Sequence, residues 1–75
     1  MKTKVIETYH HDGDQTYYWS SVKEALDSGR FDYLEDTYDE DIEDEPFDEF
    51  WCRLENSKSV KELIEIVGYP FYLED

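Results

Sequence analysis

The sequence predicts an α+β fold: an N-terminal β-hairpin packed against three or four short helices, closed by a short strand or an extended tail beside the hairpin. Three observations predict it. Two β-prone runs flank an Asp-Gly pair near the start of the chain. Beyond them, apolar residues recur at helical spacing between serines, glycines and prolines. Aromatic residues make up 17% of the 75 residues, which argues for a packed core despite a formal charge of -14, because acidic disordered segments are poor in rings. That length suits a single domain over residues 1–75.

Residues 3–10 are rich in β-branched side chains and predict a first strand, and residues 15–19 predict a second. Asp12-Gly13 between them predicts a tight type I′ turn, which needs positive φ at both central positions. Ser20 or Ser21 then caps a helix over 21–28, with Glu24 placed as the acid of a capping box and Gly29 as its left-handed stop.

Phe31, Leu34, Tyr38 and Ile42 follow at spacings of three, four and four, which is helical periodicity. A helix there sets Glu35, Asp39 and Glu43 in one line, with Asp36, Glu40 and Asp44 in a second. It also creates six like-charge pairs four residues apart between Asp32 and Glu45, a penalty of roughly 1–3 kcal/mol. An irregular, core-anchored loop over 36–45 avoids that penalty. Both conformations stand at this level.

Pro46 suits a first helical position, and Phe47, Phe50, Trp51 and Leu54 make an amphipathic stripe, so a helix is predicted over 46–55. Asn56-Ser57-Lys58 breaks it. Ser59 caps a last helix carrying Val60, Leu63, Ile64 and Val67, and Gly68 and Pro70 end it. The expected core is Trp19, Leu26, Phe50, Trp51, Leu54, Leu63 and Ile64. Ser-Val-Lys-Glu occurs at 21–24 and 59–62, and Tyr-Leu-Glu-Asp at 33–36 and 72–75; duplication and coincidence both account for this echo.

The charge is local. Residues 31–49 hold 11 of the 21 acids and no Lys or Arg. Such a surface repels nucleic acid and anionic membranes, so the expected partner is a basic protein. No apolar run approaches a membrane span or a signal-peptide core. With Cys52 the lone cysteine, nothing indicates an oxidising compartment, and a cytoplasmic location is expected.

Candidate chemistries fall away in turn. The acidic run from Asp36 to Glu45 has no Gly where a calcium-binding loop needs its sharp turn. Acid–base catalysis needs a pocket that drives two pKa values apart. His10 and His11 belong to the turn, and Cys52 has no histidine at useful spacing. No phosphate loop or dinucleotide motif occurs. Neither enzymatic activity, a metal nor a cofactor is expected.

Display is what the carboxylates can do. Acids four apart on a helix stand roughly 6 Å apart, comparable to the repeat of phosphates along a DNA strand. In length, in its aromatic-plus-acidic make-up and in the block Asp32 to Glu49, the chain resembles the small acidic DNA-mimic inhibitors, often phage-encoded: anti-restriction proteins, anti-CRISPR proteins and inhibitors of uracil-DNA glycosylase. The resemblance implies an inhibitor that blocks the DNA-binding groove of a defence nuclease. Asp32, Glu35, Asp36, Asp39, Glu40, Asp41, Glu43, Asp44 and Glu45 then form the partner-binding set, with Tyr38 and Tyr33 where a base or sugar would sit. The alternatives are an immunity-type protein that binds a basic nuclease toxin or another basic protein without mimicking DNA, and a merely solvated acidic face.

Overall fold

The computed structural model describes residues 2–8 and 11–74. Strands β1 (Thr3–Glu7), β2 (Gln15–Trp19) and β3 (Phe71–Leu73) form an antiparallel sheet in the order β2-β1-β3. The strand or tail expected beside the hairpin is therefore a strand over Phe71–Leu73, pairing Val5 with Leu73 and Glu7 with Phe71. Thr8 extends this join, since its backbone N–H and its hydroxyl both donate to the Pro70 carbonyl, at 3.0 and 3.1 Å. The Tyr69–Pro70 peptide is cis.

The hairpin forms, but its turn is not the tight one expected. Glu7 pairs with Gln15, so seven residues, 8–14, connect the strands. Only one of the two expected centres adopts positive φ: Gly13, at 114°. A type I′ turn needs both. The part of the predicted first strand at residues 9 and 10, and with it His10, lies outside the described residues; His11 is exposed.

Five helical segments occupy the described residues between β2 and β3: α1 (Val22–Asp27), α2 (Leu34–Thr37), α3 (Glu40–Glu43), α4 (Phe47–Glu55) and α5 (Val60–Val67). Ser21 and Ser59 cap α1 and α5 identically, accepting from the N–H of Glu24 and Glu62 at 3.1 and 3.2 Å. The repeated Ser-Val-Lys-Glu is thus one capping solution used twice. The other half of the echo diverges: residues 33–36 enter a helical turn, whereas Tyr72 and Leu73 lie in β3.

One face of the sheet contributes Val5, Trp19 and Phe71 to the core, where they meet Ala25, Phe31, Leu34, Phe50, Leu54, Val60, Leu63 and Ile64. Phe31, fully buried, lies between two other rings, 5.6 Å from Trp19 and 4.8 Å from Phe71. Two expected core residues are only partly buried, Leu26 and Trp51. Large rings supply much of the buried area such a short chain needs. No helix among the described residues is long and apolar enough to cross a membrane.

Candidate partner-binding surface

The acidic block is tied down by the rings within it. After α1, Gly29 takes φ 82° and turns the chain so that Phe31 points into the core. Successive bonds to residues three back lead through Tyr33 into α2, with Leu34 buried beneath it. Tyr38 then stacks on Phe50 at 4.7 Å, meets Phe47 edge-on at 5.4 Å, and donates its hydroxyl to the Glu45 carbonyl at 2.7 Å. That tyrosine is an anchor. Its hydroxyl is committed inward and does not present itself as the base or sugar mimic expected of it. Partial burial and the neighbouring Glu45 hold its ionisation above the ordinary tyrosine value.

What forms lies between the continuous helix and the irregular, core-anchored loop over 36–45. The chain makes two single turns, α2 and α3, separated by extended Tyr38 (ψ 130°) and Asp39 (ψ 104°). The two straight lines of carboxylates on one helix therefore do not exist. The reason is electrostatic and local. Breaking the helix at 38–39 removes every like-charge pair four apart within a single helix. It also frees Asp39 to cap α3, accepting from the N–H groups of Asp41 and Ile42 at 3.0 and 3.3 Å. Aspartate is a poor interior helix residue but a good cap. Ile42, expected to anchor the helix, is 77% exposed because α3 no longer continues the face that α2 buries.

The ten predicted residues divide by employment. Asp39 caps α3. The Glu40 carboxylate accepts from the Phe47 N–H at 2.6 Å, supplying the cap that Pro46, which has no polar side chain, cannot give α4. Glu45 receives a two-pronged bond from Arg53 at 2.7 and 3.1 Å, while the guanidinium lies 5.4 Å from the centre of the Phe50 ring. The hydrogen bond to Glu45 holds the Arg53 guanidinium still more firmly in its charged form. Asp44 ends α3 in the left-handed conformation at φ 56°. Asp32, Glu35, Asp36, Asp41, Glu43 and Asp44 make no side-chain hydrogen bond or ion pair among the described residues.

The surface also has shape. Glu35, Asp36, Thr37, Tyr38, Asp39, Glu40 and Asp41 line a shallow groove of about 540 Å³ with Phe47 at its edge. A second groove of about 490 Å³ adjoins it, sharing Glu35 and Phe47 and adding Asp32, Asp48, Trp51, Cys52 and Glu55. Glu43, Asp44 and Glu45 line neither. The contribution of α4 is missing from the sequence-based set, although its signal was present. Asp48, Cys52 and Glu55 fall at i, i+4 and i+7, alongside the Trp51 edge of the amphipathic stripe. No group of three His, Cys, Asp or Glu side chains among the described residues is arranged to hold a metal ion. No family model, curated protein or solved structure matches the chain.

Proposed function

We propose that the protein is an inhibitor that occupies the nucleic-acid-binding groove of a basic protein, in the first instance a nuclease of a defence system, within the cytoplasm where that nuclease meets DNA. It acts by occupancy, without turnover or cofactor. One observation carries the reading: the carboxylates of Asp32, Glu35, Asp36, Asp41, Glu43 and Asp44 stand without a cation or hydrogen-bond partner among the described residues, on a surface held by buried rings, whereas three acids outside the block are neutralised. Glu24, Asp27 and Glu74 each lie within 3.7 Å of a lysine nitrogen. Within the acidic block, among the described residues, only Glu45 has a cation beside it, the guanidinium of Arg53. Unpaired like charges on a fixed support weaken the fold that carries them and attract a basic groove from a distance.

The irregular arrangement alters how the mimicry works. With no straight ladder, the match to phosphates rests on the density and placement of charge over two adjoining grooves, not on a helical repeat. The test is competition. A nuclease bound by the tagged chain should lose its DNA as the chain is added, and the displacement should weaken as salt rises. Replacing Glu35, Asp36 and Asp41 by Gln, Asn and Asn should weaken the complex at least tenfold. Asp39, Glu40 and Glu45 are left in place in that variant because they hold the local fold. Unchanged affinity would remove the surface from the mechanism. DNA retained on the nuclease while cleavage stops would favour the immunity-type mode instead.

A further inference from the structure

The groove between the turn at Asp32–Glu35 and helix α4 differs from the rest of the acidic surface in having an apolar floor. Phe47 and Trp51 pack with ring centroids 5.9 Å apart, and both rings are only partly buried. Asp32 and Glu35 stand on one wall, with Asp48 and Glu55 on the α4 side. All four are exposed and make no ion pair or side-chain hydrogen bond among the described residues. Anionic walls over an aromatic floor define a chemistry that neither feature defines alone.

We infer that this groove is a slot for an arginine side chain of the basic partner, its guanidinium lying on the Trp51 ring and its N–H groups directed to the carboxylates of the two walls. The inference rests on the reading proposed above, that the partner is a basic protein. The occupant follows from complementarity. The carboxylates are distributed along both walls and do not converge, so a compact metal ion gains little while a flat, multiply donating cation gains much. Arginine stacks on aromatic faces and presents five donors in a rigid fork; lysine offers a more strongly hydrated point charge that forgoes the stacking. Phosphate mimicry accounts for the carboxylates but gives no role to a partly exposed tryptophan among them. The slot gives it one.

The experiment uses a blocked peptide of three Gly-Arg repeats as probe, with its Gly-Lys counterpart as control, titrated into the isotope-labelled whole chain. Saturable shifts should appear at the Trp51 indole N–H and at the amides of Asp32, Glu35, Asp48, Cys52 and Glu55. The arginine peptide should bind about two- to fivefold tighter than the lysine peptide, the range expected for stacking at a partly exposed ring. The exposed Cys52 thiol on the same groove should be alkylated more slowly when the peptide is bound. Trp51→Leu should abolish the preference for arginine. The exposed pair Asp48→Asn and Glu55→Gln, which leaves the packing intact, should lower the affinity for both peptides. Equal affinity for the two peptides, or shifts spread over the acidic surface without Trp51, would overturn the slot. A chain that takes the arginine peptide yet leaves DNA on its nuclease would overturn the proposed function and spare the slot. DNA displacement undiminished in Trp51→Leu, with no arginine preference in the wild type, would do the reverse.

Discussion

Tyr33 carries a buried hydroxyl with no hydrogen-bond partner among the described residues, although its ring packs on Phe71 at 6.4 Å. A buried donor left unmade costs about 1–3 kcal/mol. Tyr33→Phe is therefore expected to stabilise the fold by about 1 kcal/mol in denaturant unfolding, an unusual sign for a substitution beside a core. Ionisation of the tyrosines has the opposite consequence. Burial raises Tyr17, Tyr33 and Tyr38 above the ordinary value of 10.0, with Glu7 adding to the first two and Glu45 to the third. A group raised in the native state favours the fold while it is protonated. The stabilisation is whole below pH 10.0 and is lost as pH rises through the raised native values. Ultraviolet titration should show part of the tyrosine absorbance change delayed past that of free tyrosine and arriving together with unfolding.

At the scale of elements, α3 and α4 are held by side chains reaching across the intervening loop. Glu40 caps α4 from seven residues away, and Glu45 reaches Arg53 eight residues on. Charge counting alone would make every neutralised acid in this block a gain. The geometry separates them. Glu40→Ala should destabilise by about 1 kcal/mol, the usual worth of a helix cap, whereas Asp41→Ala should be neutral or mildly stabilising because its carboxylate has no partner. Thermal melting of the two variants side by side checks this. Melting temperatures that rise equally would show that repulsion, not capping, governs this segment.

Across the whole molecule, a formal charge of -14 on 75 residues opposes the compact state. Salt shortens the reach of that repulsion to about 10 Å at 0.1 M. The melting temperature should therefore rise steadily between 0.01 and 0.15 M salt, over the range in which binding to a basic partner weakens. A protein whose stability and affinity move in opposite directions with ionic strength carries its charge for recognition. One whose melting temperature ignores salt has its acids too far apart to matter.

The two hairpin strands, the serine-capped helices α1 and α5, the stripe of α4 and the confinement of charge to 31–49 were legible in the sequence, because each depends on residues within a few positions of one another. Ser21 to Glu24 and Ser59 to Glu62 are capping units wherever they occur. Three features needed the folded chain. The break at Tyr38–Asp39 arises because the Tyr38 ring is held by Phe47 and Phe50 while repulsion opposes a continuous helix. The division of carboxylates into caps, ion pairs and unpaired groups depends on contacts across a loop. The partial exposure of Trp51 depends on how α4 is rotated against the core. Periodicity states which residues share a face. Tertiary packing decides how much of that face is covered, and on this chain it leaves a tryptophan between two walls of carboxylates.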